Sequence, residues 1–223
     1  MAAGNKGASM LVFSEQKLTF LATPKTGTTA IEMALRPLAE ISFSKRRKHI
    51  NASRYHSKVA PFLHQTFGIE TETVAVMRAP ADQLRSWYKY RTRPELDGAP
   101  RSTANISFDE FVAAAAGDQP PDFARVGSQF DFLANAKGEV LVNHLFAYEN
   151  LSDFLGFLKE RLETTIHLKR KNVSPPIDAP LSAEMETVLR AARSDEFALY
   201  DRLMMAGGYL HFETPNVARQ TKG

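Results

Sequence analysis

A lysine two residues ahead of a glycine, with a threonine pair behind it, is the first place where residue types and spacing could do chemistry. The stretch reads Pro24-Lys25-Thr26-Gly27-Thr28-Thr29. Backbone N–H groups at a helix start, together with a lysine charge, form a site for an anion. Gly27 lets the backbone approach that anion closely, and Thr26, Thr28 and Thr29 offer hydroxyl donors. Leu18 to Leu21 ahead of the loop is an apolar run that reads as a buried strand. Behind the loop, Ile31, Ala34, Leu35 and Leu38 recur at helical spacing on one face. The loop departs from the Walker A pattern, which puts lysine directly after the last glycine; here Thr28 follows Gly27.

A second corner of the same kind follows. Thr73-Val74-Ala75-Val76-Met77 reads as a second buried parallel strand, with Arg78 at its end. Pro80 suits the first turn of a helix, and Leu84, Trp87 and Tyr88 supply its apolar face. Ser86 falls roughly two turns into that helix, about 9–12 Å along its axis, a gap a long arginine can close. A guanidinium fork and a serine hydroxyl can then touch one phosphate.

Pro24-Lys25-Thr26-Gly27-Thr28-Thr29 resembles the 5′-phosphosulfate loop of the sulfotransferases that use 3′-phosphoadenosine-5′-phosphosulfate (PAPS). Arg78-Ala79-Pro80-Ala81-Asp82-Gln83-Leu84-Arg85-Ser86 resembles the site where that family binds the 3′-phosphate. Weaker matches are Tyr148-Glu149 with Leu151, similar to a strand end of the family, and Lys171, Asn172 and Ser174, similar to its late cofactor loop. Glu149 reads as structural. The resemblance spans roughly Leu18 to Ser174 and is closest to small bacterial members. It implies PAPS as sulfuryl donor and adenosine 3′,5′-bisphosphate (PAP) as product. Lys25, Thr26, Gly27, Thr28, Thr29, Arg78, Ser86, Lys171, Asn172 and Ser174 would hold the nucleotide. One departure is Ala30, where cytosolic members carry an aromatic that stacks on adenine.

Sulfuryl transfer is an in-line displacement in which charge grows on the leaving phosphate. Lys25 and the loop N–H groups can stabilise that charge without a metal. The acceptor hydroxyl needs a general base. In the family it lies after the first helix, where His49 and His56 are the candidates and His64 and Glu32 are poorer ones. Two other readings stand beside this one: a nucleotide-dependent P-loop-type kinase, which lacks its Gly-Lys-Ser/Thr here, and a non-catalytic anion-binding module.

The rest of the chain must position these groups. Its 223 residues are 43% apolar, enough for a sizeable core. There is no cysteine, which excludes thiolate chemistry and disulfides. The net charge of +3 is too small to imply nucleic acid, and no apolar run approaches membrane-spanning length. These features predict a cytoplasmic protein with no membrane span. Between Arg36 and Lys58 lie seven Lys or Arg against one acid, Glu40, a surface for an anionic cofactor or acceptor or a solvated face. The acceptor, a carbohydrate among the candidates, would be met by the loops Thr92 to Asn105 and Gly117 to Arg125.

Met10–Phe13 and Lys17–Leu21 are expected to pair as a hairpin. Helices are expected over Ala52–Phe67, after Ser107-Phe108-Asp109-Glu110 as a capping box, over Phe123–Leu133, from Leu151 to Leu162, and over Ser182–Arg193 and Asp195–Ala206. His144–Tyr148 and Thr165–Leu168 read as a third and a fourth strand following the central alternation. The fold class is a single α/β domain, a mainly parallel sheet of four or five strands with helices on both faces, as in P-loop nucleotide-kinase-like sulfotransferases. Its expected limits are residues 10–215, between a disordered tail at 1–9 and a flexible end at 216–223.

Overall fold

The computed structural model describes residues 10–43, 49–168 and 177–214. The two expected tails, the basic run Lys45 to Lys48 and the loop residues Lys171, Asn172 and Ser174 lie outside the described residues.

Three parallel strands form the middle of the sheet: β2 (Leu18–Leu21), β4 (Glu72–Met77) and β5 (His144–Ala147). β2 is also the second strand of the expected hairpin, paired antiparallel with β1 (Met10–Phe13), Leu11 facing Phe20. β3 (Ile41–Phe43) adds antiparallel to β1, and β6 (Tyr209–His211) adds antiparallel to β5. The order is β3-β1-β2-β4-β5-β6.

Among the described residues the sheet is therefore mixed and has six strands, where four or five mainly parallel ones were expected. The short edge strands β3 and β6 are half-exposed and carry little apolar signal. Thr165–Leu168 is not a strand. β5 already has β4 on one side and β6 on the other, so no open edge remains beside it; Ile166 instead buries its side chain against one face.

Both faces are covered. On one, α1 (Thr28–Leu35) and α7 (Leu151–Arg161) bury Ile31, Leu35, Phe154 and Leu158 against Leu11, Phe20, Val74 and Phe146. The other face is set by α2 (Ala52–Arg54), a π-turn over Tyr55–Val59, α3 (Ala60–Phe67) and α6 (Gln129–Leu133). These bury Tyr55, Leu63, Phe132 and Leu133 against Val12, Ala75, Met77 and Leu145. The expected helix Ala52–Phe67 is thus present, widened by one π-turn at its middle.

A third cluster joins α4 (Pro80–Arg91), α5 (Phe108–Ala116), α8 (Ala183–Ala192) and α9 (Ser194–Met205) through Leu84, Tyr88, Phe111, Leu189 and Phe197. The capping box is formed: Ser107 Oγ accepts from Glu110 N, and Ser107 N donates to the Glu110 carboxylate at 2.7 Å. The helix expected from Phe123 is only Gln129–Leu133 long. Buried Arg91 draws the preceding chain aside by donating to the carbonyls of Asp122, Phe123 and Arg125. Among the described residues no helix is long and apolar enough to cross a membrane.

Candidate functional site

Parallel pairing of β2 with β4, Leu21 opposite Ala75, brings the two sequence corners side by side at the carboxyl ends of the strands. Crevices at such strand ends are where open α/β sheets bind ligands. After β2 the chain turns through Lys25 at φ 70° and Gly27 at φ 71° and enters α1. A lysine in the left-handed region costs on the order of 1–3 kcal/mol of backbone strain, which the surrounding structure must impose. Gly27 has a second reason to be glycine. A Cβ there would stand 3.0 Å from Cε2 of Tyr148.

No side chain caps α1, and its first turn holds no acid, so the positive helix end faces the loop unneutralised. Thr26 is fully buried, and its hydroxyl donates to the Thr23 carbonyl at 2.9 Å, closing the turn instead of addressing a ligand. Thr28 is buried and Thr29 half-buried at the helix start.

Four cations converge here. The Lys25 ammonium lies 4.4 Å from the ring centre of Tyr90 and 5.1 Å from that of Trp87. Burial, with the charges of Arg93, Arg78 and Arg91 nearby, lowers the Lys25 pKa to about 7. The aromatic faces favour the ammonium form and oppose part of that depression. Lys25 is thus poised near neutrality, held by rings and pressed by three guanidiniums. An anion placed among them would relieve the repulsion and favour the charged lysine.

Arg78 is held from both sides. Its backbone N–H donates to Gln129 Oε1 at 2.9 Å, and its carbonyl accepts from Gln129 Nε2 at 2.9 Å. Gln129 is anchored in turn on buried Glu196, which pairs with Arg193. The Arg78 guanidinium lies 4.8 Å from the ring centre of Tyr148, the tyrosine that packs on Gly27. Its Nε is buried with no hydrogen-bond partner among the described residues. The backbone N–H of Ala79, at the start of α4, donates to Glu149 Oε1 at 3.0 Å, a structural role for that glutamate. Ser86 lies half-buried on α4, and among the described residues no hydrogen bond joins it to Arg78.

Beside the loop opens a cavity of about 290 Å³. Pro24, His49, Asn51, Arg54, Gln83 and Trp87 line it together with Gly127 to Gln129, Asp131 and Phe132. The Gln83 Oε1 and Trp87 Nε1 atoms are buried without hydrogen-bond partners among the described residues. His49 meets the Ala22 carbonyl through Nδ1 at 2.8 Å. If Nδ1–H is the donor, the neutral ring carries its lone pair on Nε2.

His56 is elsewhere. Its Nε2 meets the Leu141 carbonyl at 2.8 Å, burial lowers its pKa, and it lines a separate cavity of about 380 Å³ with Tyr55, His64 and Thr71. Lys25, Arg78 and His49 are thus grouped around one corner, and His56 is not among them.

Sequence reasoning missed the Trp87 and Tyr90 rings over Lys25, the added charges of Arg91 and Arg93, and the Gln129 clamp on Arg78. Trp87, Tyr90 and Arg91 stand at i, i+3 and i+4, so their common helix face was a usable signal. Gln129 carried none.

Compared with known proteins, the chain matches no family model, no curated protein and no solved structure.

Proposed function

We propose that this chain is a sulfotransferase of P-loop-like fold that moves the sulfuryl group of PAPS to a hydroxyl or amine acceptor. The observation that carries the reading is the pairing of two strand-end corners, each bearing the cation its motif requires: Lys25 in a strained glycine loop at an uncapped helix, and Arg78 clamped on the adjacent strand. The residues fit a doubly anionic nucleotide. Mutually repelling cations and a buried, unpartnered Arg78 Nε are arranged for anionic oxygens.

In this reading Lys25 and the first N–H groups of α1 stabilise the negative charge that develops on the 5′-phosphate as its bond to sulfur breaks. Arg78 reads the 3′-phosphate, and the serine of the same motif, Ser86, reaches it after side-chain adjustment. His49 accepts the acceptor's proton at Nε2 while the acceptor oxygen forms its bond to sulfur. The acceptor occupies the cavity beside Pro24. Asn51, Arg54, Ser128 and Asp131 line it with groups suited to a hydroxyl-bearing molecule such as a carbohydrate, anionic or neutral.

Calorimetry with PAP, and with ATP plus magnesium, tests the nucleotide assignment. PAP is expected to bind and ATP to bind more weakly, since it lacks the 3′-phosphate. Transfer of label from PAPS into an acceptor panel then tests the reaction. Preference for ATP with magnesium would move the reading to a kinase; binding of PAP with no transfer to any acceptor would move it to an anion-binding module.

A further inference from the structure

At the opposite, amino-terminal end of the parallel strands, three potential metal ligands meet on one face of the sheet. Strand register puts them there. Val74 of β4 pairs with His144 of β5, and Glu72, two residues before Val74, shares its face. His144 pairs in turn with His211 of β6. The donor atoms of Glu72, His144 and His211 all lie within 4.8 Å of one another. One ion at about 2.1 Å from each, in tetrahedral geometry, needs them about 3.4 Å apart, a closure within reach of small side-chain rotations.

The surroundings are those of an oriented ligand set. His144 is buried, its Nδ1 stands 2.9 Å from the Tyr209 hydroxyl, and its Nε2 turns to Glu72 at 3.4 Å. Phe157 packs against its ring with centres 4.7 Å apart. Arg161 grips the Glu72 carboxylate and is itself fixed by donating through Nε to the Gln16 carbonyl at 2.9 Å. A carboxylate has about four lone-pair positions, so one guanidinium contact leaves capacity for an ion. Outer partners of this kind, on both the histidine and the carboxylate, are what orient ligands in metal sites.

We propose that Glu72, His144 and His211 bind one first-row divalent transition ion, zinc foremost, which ties the edge strand β6 to β5 and β4. Two imidazoles and a carboxylate suit that class of ion better than magnesium or calcium, which prefer all-oxygen sets. The site lies at the other end of the strands from Lys25, so its role is to hold the sheet edge, and it stands independently of the sulfotransferase reading.

The test uses the tag-free full chain, stripped with a chelator and titrated with Co²⁺ and Zn²⁺. One Co²⁺ per chain is expected, with visible bands of a four- or five-coordinate ion. Zn²⁺ is expected to raise the thermal unfolding midpoint, because the assembled ligand set of the folded state binds it more tightly than the unfolded chain does. His211 is exposed, so His211→Ala should fold, verified by circular dichroism, and weaken Co²⁺ binding by about 100-fold or more, beyond the 10–100-fold typical of an outer partner. Tyr209→Phe should weaken it about tenfold. His64→Ala, whose ring turns to Glu70 on the cavity that Glu72 also lines, should leave it unchanged, because His64 is not one of the three ligands. No stoichiometric Co²⁺ binding, or equal binding by wild type and His211→Ala, would overturn the site.

Discussion

At the carboxyl ends of β2 and β4, Lys25, Arg78, Arg91 and Arg93 crowd together, and Thr23 Oγ1, Arg78 Nε, Gln83 Oε1 and Trp87 Nε1 are buried without hydrogen-bond partners among the described residues. At the amino ends of the same strands, polar groups close on one another. Thr71 Oγ1 lies 2.6 Å from both Thr19 Oγ1 and the Tyr55 hydroxyl. The Asn143 carbonyl oxygen accepts from the Thr73 N–H at 2.8 Å, while its amide donates to Thr214 Oγ1 at 3.0 Å. This end ties Thr19, Tyr55, Thr71, Thr73 and Asn143 into mutual hydrogen bonds that rigidify the sheet, with His56 Nδ1 and His64 Nδ1 on the adjoining cavity as its buried atoms without a hydrogen bond among the described residues. The other keeps like charges near each other and near unmatched polar atoms, the Arg78 and Trp87 N–H donors among them, an arrangement that costs stability and gains from an anionic ligand. Substitutions should therefore act on function at the first end and on stability at the second.

The largest expected effect is on turnover. With PAPS and an accepted substrate, Lys25→Ala should lower kcat by about 10²–10³, the loss seen when one preorganised donor is removed from developing charge. PAP affinity should change much less, because Arg78 and the helix N–H groups remain. Replacing His49 should remove the acidic limb of the pH–rate profile, and Lys25→Ala should keep it. Normal turnover by Lys25→Ala would break the assignment of the loop.

Arg78→Ala should weaken PAP binding by about 1.5–3 kcal/mol, the worth of a hydrogen bond to a charged group. Adenosine 5′-phosphosulfate, which lacks the 3′-phosphate, should bind almost as before; calorimetry with both ligands reads the difference.

At the closed end, Asn143→Ala should cost about 1–3 kcal/mol of stability by leaving the buried donors around Thr73 unmatched. Urea unfolding measures it, and PAP affinity of the folded variant should hold. Loss of PAP affinity without loss of stability would reverse the comparison.

Protonation sharpens the contrast. With its folded pKa near 7, Lys25 is ammonium below that pH and amine above it. Anion binding selects the ammonium, so PAP affinity should fall as pH rises above about 7, with proton uptake visible as buffer-dependent binding heat. Stability runs the other way. Between pH 7 and the ordinary lysine value of 10.5 the unfolded chain binds the proton and the folded chain does not, so the Lys25 contribution to stability improves with rising pH across that window.

The smallest effect is stabilising. Lys25→Met at neutral pH removes a buried charge pressed by three arginines and keeps most of the apolar stem, so about 0.5–2 kcal/mol should be gained while turnover is lost. Thermal unfolding at pH 7 checks it.

Much of the fold was legible locally. Leu18–Leu21 and Thr73–Val76 bury every residue, so their apolar runs read directly as central strands. The α7 stripe and the box at Ser107 and Glu110 carry their own period and cap. Ile41–Phe43 and Tyr209–His211 did not read as strands because an exposed edge buries too little to leave a pattern. At the candidate site, Lys25, Gly27 and Arg78 were legible because a tight turn and a strand end impose residue types within a few positions.

What the sequence by itself determined is which residues can serve an anion: a lysine-bearing glycine loop and an arginine, each at a strand-to-helix corner. Only the tertiary structure decided that the corners lie side by side, since this depends on β2 pairing with β4 across some fifty residues of intervening chain. It likewise separated His49, beside Pro24, from His56, held at Leu141. The lowered pKa of Lys25 depends on its burial and on the charges of Arg93, Arg78 and Arg91 that packing brings beside it. Strand pairing and helix packing are non-local; a local pattern names a group's chemistry, and only packing sets the distances and burial that tune it.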